Sequence, residues 1–388
     1  MQNKRLTFQT RKVAIISAGH FVHDVFSSFL APFLPLLISK FGLSMVLAGS
    51  LTLFYRLPSV LNPLFGILSD RVNLSLLAIG APAFTAVGMS LLGIAPNYAV
   101  LCLILSTAGT SAAIFHVLGP VMVARISTRN LGRGMSFWMT GGELARTVGP
   151  LVAVWVVSIW ELEGSYPIMV VGILASILLC MNLKGMVSAA GERSEGGFRE
   201  TWRTLRHVRV PLTGLMISRS FLTATLIAFL PTYMVTSGKS LWLGGASLAV
   251  LQLSGAVGTF VGGTVSDRVG RGTVLLGTLP TSSFLMLALV YAPDWMLFPI
   301  LFFLGCGVFA LMPVNMAILH DHCGEHRGTA NGLFMAVHFL SIAAVTIFVG
   351  WLADLLGLRM AFTLSALLGL VGVPMIFCLP KSRQMGEA

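Results

Sequence analysis

Leu68-Ser69-Asp70-Arg71-Val72 and Val265-Ser266-Asp267-Arg268-Val269 stand 267 − 70 = 197 residues apart. Three further pairs keep nearly the same step. Ala95-Pro96-Asn97-Tyr98 returns as Ala292-Pro293-Asp294-Trp295 at 197, Phe33-Leu34-Pro35 as Phe229-Leu230-Pro231 at 196, and Arg133-Gly134 as Arg327-Gly328 at 194. A near-constant offset across four landmarks marks an internal duplication, each copy filling about half of the 388-residue chain.

Between the landmarks the chain is apolar almost throughout. Hydrophobic residues make up 56% and charged residues only 10%, with a mean hydropathy of +0.88. That is too few charges to coat a soluble protein of this size, so lipid is the expected solvent. A membrane-crossing helix needs about 20 mainly apolar residues, and continuous rather than alternating runs exclude a barrel of strands. The first copy offers six such runs: 13–39, 46–68, 74–95, 98–124, 135–159 and 166–183. The second offers 210–235, 243–265, 273–291, 295–319, 329–352 and 360–379. The expected fold is all-α, twelve transmembrane helices in two pseudo-symmetric six-helix bundles. Residues 1–183 form the N-terminal bundle, 184–209 a cytoplasmic linker and 210–388 the C-terminal bundle. In the linker Phe198, Trp202 and Leu205 recur at helical spacing among Arg199, Arg203, Arg206 and Arg209, the pattern of an amphipathic helix lying on the membrane.

The net charge is +11, yet the basic residues sit in short connectors rather than on one patch, which argues against nucleic acid. Of 25 Lys and Arg, three (Lys40, Lys239, Arg359) fall on one face and three (Arg56, Arg146, Arg219) inside helices. The remaining 25 − 3 − 3 = 19 lie at the termini and on the connectors of the opposite face. By the excess of positive charge on cytoplasmic loops, both termini are cytoplasmic. The five cysteines are scattered without a pairing pattern, and the first apolar run is too long for a cleaved leader. No Walker A, His-Glu-x-x-His or Gly-x-Ser-x-Gly pattern occurs, so neither ATP hydrolysis nor a familiar intramembrane enzyme is expected.

Gly263-Thr-Val-Ser-Asp267-Arg268-Val-Gly270-Arg271 resembles the loop signature of the major facilitator superfamily, Gly-x-x-x-Asp-Arg-x-Gly-Arg. The first-half copy keeps Gly66, Asp70 and Arg71 and replaces the later Gly and Arg by Asn73 and Leu74. In that family the loop helps latch the two halves on the cytoplasmic side. More narrowly, Gly19-His20-Phe21 with Asp24, Leu64-Phe65-Gly66, Ile114-Phe115-His116, and Gly141-Gly142 followed by Gly149-Pro150 are similar to the fosmidomycin-resistance branch of exporters. That branch commonly continues its Phe-His with Pro and an acid, where this chain has Val117 and Leu118. The resemblance implies a multi-pass protein of a bacterial cytoplasmic membrane that works by alternating access, with the site near mid-membrane. Gly149 and Pro150 would lie in a helix at the boundary between the halves and bend it.

A charge at mid-bilayer costs about 2.5 to 3.5 kcal/mol, so five facing lipid would cost on the order of 12 to 17. The interior charges and histidines are His20, His23, Asp24, Arg56, His116, Glu143, Arg146, Arg219 and His338, and the third, sixth, ninth and twelfth runs carry none. His20, His23 and Asp24 share one helix face at spacings of three and four. They suit a proton site with Asp24 titrating, or a metal site of imidazoles and a carboxylate, or a structural arrangement in which Asp24 pairs with an arginine and the histidines hydrogen-bond to neighbouring helices. Glu143 and Arg146, three apart, can pair along their helix. Two acids against three arginines leave an excess of one positive charge, which favours an anionic or zwitterionic cargo because guanidinium binds carboxylate and phosphate through two hydrogen bonds. Arg56, His116, Arg146, Arg219 and His338 are the candidate cargo contacts. Asp24, Glu143, His20 and His23 are the candidate proton-coupling group.

The expectation is thus a monomeric secondary transporter with no cofactor beyond a proton gradient and no resident metal. It exchanges a small organic compound for protons in contact with membrane lipid. Proton-coupled uptake of an anionic metabolite is the alternative within the same fold.

Overall fold

The computed structural model describes residues 9–62, 64, 65, 68, 74–127, 130–183, 198–324 and 327–380. Among them there is no strand. The first half contains α1 (Thr10–Ser27), α2 (Leu30–Phe41), α3 (Met45–Arg56), α4 (Ser75–Ser90), α5 (Tyr98–Ser127), α6 (Leu131–Trp160) and α7 (Met169–Leu183). A short α8 (Phe198–Thr204) precedes α9 (Arg209–Thr236), α10 (Leu241–Val269), α11 (Arg271–Tyr291), α12 (Leu297–His322), α13 (Arg327–Leu356), α14 (Leu358–Leu370) and α15 (Val373–Phe377). Among the described residues eleven helical stretches are long and apolar enough to cross a membrane, and Met45–Leu61 is a shorter apolar helix.

Proline explains most departures from the expected runs. The first run is not one rod, because α1 stops at Ser27 and α2 restarts at Leu30. Pro32 has no N–H to offer the carbonyl four residues back, at Ser28, and the ladder is interrupted there. The Ser28 hydroxyl instead donates to the Asp24 carbonyl at 2.8 Å. The second run ends as an α-helix at Arg56, since Pro58 turns Leu57–Leu61 into a 3₁₀ segment. In the last run Gly369, Gly372 and Pro374 divide α14 from α15.

In an apolar 18-residue window 17% of the residues are buried in the span Glu163–Leu183 and 72% in Arg209–Thr236, so α7 presents its side chains outward while α9 is enclosed. That separates the chargeless sixth run from the Arg219-bearing seventh as expected. In the linker, α8 covers only seven residues, and residues 184–197 lie outside the described set. Thr201 of α8 and Leu205 just after it are buried, whereas Trp202 is exposed and carries the Arg209 guanidinium 4.8 Å above its ring.

The chain packs as two compact units that follow the duplicated halves with one exchange each. The first comprises Met1–Gly42, Leu51–Glu192 and Ser240–Ala249; the second comprises Leu43–Ser50, Arg193–Lys239 and Val250–Ala388. Within the first unit α6 lies against α1 with almost no space between backbones: a Cβ on Gly141 would sit 2.6 Å from the Ser17 carbonyl oxygen, and one on Gly149 2.7 Å from Ser28 Cβ. The helix runs on through Pro150. The borrowed start of α10 docks in the same way, Gly245 facing Val154 and the Pro150 carbonyl.

Within the second unit the borrowed start of α3 is held by α13. Asp354 accepts hydrogen bonds from the Met45 and Val46 amides at 2.5 and 2.9 Å, which satisfies two of the orphan N–H groups at that helix end. A side chain at Gly350 would meet the Met45 carbonyl at 2.5 Å, so the contact is close as well as polar. Asp354→Ala leaves both amides without an acceptor and is expected to destabilise the protein by about 1 to 2 kcal/mol, the usual cost of losing a cap. Asp354→Asn keeps an acceptor oxygen and should cost less. Unfolding titrations in mixed detergent read the difference, and an unmoved midpoint for the alanine variant would mean the cap contributes nothing.

Candidate functional site

Helical spacing brings His20, His23 and Asp24 to one side of α1, and the glycines of α6 let that side approach α6 closely. A Cβ on Gly142 would lie 2.7 Å from His20 Cε1 and 3.3 Å from Asp24 Oδ2. His20 stacks on the Trp138 indole, centroids 3.7 Å apart and planes 15° from parallel, and its Nδ1 is 2.8 Å from the Trp138 carbonyl oxygen. Its Nε2 points at Asp24 Oδ2 at 3.3 Å. From α5, His116 brings Nε2 to 3.3 Å from Asp24 Oδ1, and His23 Nε2 is 3.9 Å from the same oxygen. His23 is fully buried and packs on Phe115 with ring centroids 4.5 Å apart.

Asp24 is therefore ringed by three imidazoles and, among the described residues, makes no ion pair with an arginine. Of the structural arrangement read from sequence, the Asp24–Arg pair is not found among the described residues, whereas His20 does bond to a neighbouring helix, at the Trp138 carbonyl. The Asp24 side chain is 7% exposed while the His116 side chain is 44% exposed, so the cluster has one solvent-facing member. Donor atoms of His20, Asp24 and His116 lie within 4.8 Å of one another, compact enough to share a single small cation.

The same unit carries a second polar group. Glu143 and Arg146 are joined by an ion pair along α6, as their spacing suggested. Arg56 ends α3, its Nε is buried without a hydrogen-bond partner, and no carboxylate among the described residues pairs with it. The charge that acts on it across the unit is Arg146, of the same sign. Arg146 Nε is likewise unpartnered. Of the two guanidiniums only Arg146 has an acid partner, Glu143, and two like charges without a full complement of counter-charge form a place for an anion.

In the second unit Arg219 is 5% exposed and has no acid partner among the described residues. Its Nε donates to the Val308 carbonyl of α12 at 3.3 Å, its only side-chain hydrogen bond among the described residues. Two turns along α12, Asn315 is buried with an unpartnered Oδ1. His338 lies elsewhere, on α13 against Phe339, and does not join the Asp24 cluster.

The loop signature is visible in its second copy. Arg271 pairs with Asp267, donates to Ser266 Oγ at 2.7 Å and reaches Asp321 Oδ2 at 3.4 Å, and Gly270 holds φ at +94° in the turn before α11. Gly263 and Arg268 flank this network on the same helix. Gly66, Asp70 and Arg71 lie outside the described residues.

Residues 16–343 and 253–386 match the Major Facilitator Superfamily. The chain belongs to that superfamily. It is 26% identical over 382 residues to the fosmidomycin resistance protein of Escherichia coli (strain K12), covering 95% of this chain and 92% of that one. It is 22% identical over 329 residues to the multidrug resistance protein MdtG of Enterobacter lignolyticus (strain SCF1), covering 80% and 77%. The crystal structure of the nucleoside transporter NupG superposes with a TM-score of 0.77 at 13% identity, covering 95% of this chain and 98% of that chain, a likeness of fold alone. This major facilitator chain is a multi-pass membrane transporter rather than an enzyme, as the duplicated apolar runs implied.

Proposed function

We propose that this transporter exports a small anionic or zwitterionic organic compound in exchange for protons. One observation carries the reading: Asp24 is answered by imidazoles instead of an arginine. The carboxylate and its histidines are then available to a proton, and Arg56 and Arg219 are left without a permanent counter-ion and available to a cargo anion. Glu143, paired with Arg146, is the second acid of the path and the reserve candidate for coupling. Export rather than uptake is supported by the likeness to the fosmidomycin and multidrug resistance proteins, and the setting is a bacterial cytoplasmic membrane. The transporter acts as a monomer, with membrane lipid around it.

Flux in proteoliposomes under an imposed pH gradient tests the proposal. Phosphonates, carboxylates, sugars and cationic drugs are first sorted by thermal shift, and an anionic compound should accumulate against its gradient when protons run the other way. Cargo and protons moving in the same direction would give the uptake reading instead. Topology is open to separate measurement in a cysteine-free background: a cysteine at Ser194 should label from the cytoplasm and one at Ser240 from outside. Labelling of both from one side would reverse the assigned orientation of a half.

A further inference from the structure

We infer that His20, Asp24 and His116 form a binding site for one transition-metal dication of the Zn²⁺ class, joining α1 to α5. The inference goes beyond the proton-coupled reading and stands on geometry. His20 Nε2 lies 3.3 Å from Asp24 Oδ2, His116 Nε2 lies 3.3 Å from Asp24 Oδ1, and the three side chains hold donor atoms within 4.8 Å of one another. Zinc sits about 2.0 to 2.2 Å from imidazole nitrogen and carboxylate oxygen, so neighbouring ligands of a tetrahedral ion stand about 3.3 to 3.6 Å apart. Both nitrogen-to-oxygen separations are of that size. His20 is 4% exposed, yet its Nε2 has no hydrogen-bond partner among the described residues, and Asp24 Oδ1 is likewise buried and unpartnered. Such atoms carry a desolvation cost that a coordinated ion offsets. A proton bridges two atoms, whereas a dication engages donors from all three side chains together.

The surroundings supply what a metal-bound imidazole ordinarily has. A carbonyl oxygen only accepts, so the 2.8 Å contact between His20 Nδ1 and the Trp138 carbonyl oxygen puts the ring hydrogen on Nδ1 and leaves the Nε2 lone pair to ligate. The stack on the Trp138 indole fixes the plane of that ring. His116, with its side chain 44% exposed, gives the ion a way in and leaves a coordination position open on that side. Two imidazoles and one carboxylate suit Zn²⁺ and its first-row neighbours, whereas Mg²⁺ and Ca²⁺ prefer oxygen ligands. Where proton exchange uses Asp24, the ion and the proton claim the same carboxylate, and bound Zn²⁺ blocks the exchange. His320, His322 and Cys323, close together at the end of α12, are the rival zinc ligands.

The test uses the full-length protein, stripped with chelator and held in lipid nanodiscs, with Zn²⁺ as the probe. Calorimetry should show one Zn²⁺ bound per chain in the micromolar range or tighter, undisturbed by excess Mg²⁺. The dissociation constant should rise about tenfold or more in His20→Gln, Asp24→Asn and His116→Gln, and stay put in a combined His320→Gln, His322→Gln, Cys323→Ser variant. His116 is the exposed member, so its substitution leaves a folded protein to measure if the buried ones do not. X-ray absorption of the Zn²⁺-loaded wild type should show nitrogen and oxygen at about 2.0 Å and no sulfur at about 2.3 Å. No binding by the wild type, binding untouched by the three cluster variants or lost with the α12 variant, or a sulfur ligand overturns the site. Zn²⁺ that binds through these residues without slowing proton-driven flux keeps the site and removes Asp24 from coupling.

Discussion

Asp24→Asn abolishes concentrative, proton-driven transport and leaves cargo binding and downhill exchange measurable. Asn has nearly the shape of Asp and can still meet His116 and His23, so the packing of α1 against α6 is little disturbed. What disappears is the carboxylate around which His20 and His116 gather, each with Nε2 3.3 Å from one of its oxygens. One proton crossing 100 mV supplies about 2.3 kcal/mol, enough for a roughly 50-fold gradient of a neutral cargo. Without it the accumulation ratio falls to the passive value. Radiolabelled or fluorescent cargo in proteoliposomes with and without a pH gradient reads the ratio directly. Survival of concentrative transport would make Asp24 structural and pass the coupling role to Glu143.

Arg219→Lys raises the cargo dissociation constant by about tenfold or more, some 1.4 kcal/mol, with the melting temperature nearly unchanged. Arg219 is the tenth residue on from Arg209 at the start of α9, about 15 Å along the axis at 1.5 Å per residue, close to mid-membrane. A buried guanidinium whose only side-chain hydrogen bond among the described residues is to one carbonyl has donors to spare. Lysine keeps the charge, so any general attraction for an anion remains, but it loses the planar pair of N–H groups that grips a carboxylate or phosphonate. A purely structural arginine would behave the opposite way, with stability lost and affinity kept. Arg56→Lys in the first unit should show the same pattern, and unchanged affinity in both variants would remove the case for an anionic cargo.

The architecture was legible because a helix in lipid must be apolar along its whole length, and the repeat of Ser-Asp-Arg after 197 residues marks the copies. The breaks were less legible. Pro32 acts on the carbonyl of Ser28, four residues upstream, so the interruption appears away from its cause. Half of the Asp24 site could be read from the three-and-four spacing on α1. His116 could not be attached to it, since 92 residues and a different helix separate them (116 − 24). The grip on His20 leaves no trace in the sequence at all, because Trp138 uses a backbone oxygen that any residue would supply. Asp354 escaped for a similar reason: an acid near a helix end reads as a surface charge until the N-terminus of another helix is found beneath it.

The exchange of helix beginnings between the two compact units bears on how the protein is made. A chain leaves the ribosome in order, and domains ordinarily complete themselves as soon as their last residue emerges. Here the first unit includes Ser240–Ala249, so it remains unfinished after its own six-helix half has been inserted. Conversely, Leu43–Ser50 is synthesised near the start and must wait for Asp354, some 300 residues later, before the start of α3 receives its cap. Neither half of the duplicated sequence closes on itself, and the start of α3 is not capped before the penultimate membrane span, Thr329–Leu356, has been delivered.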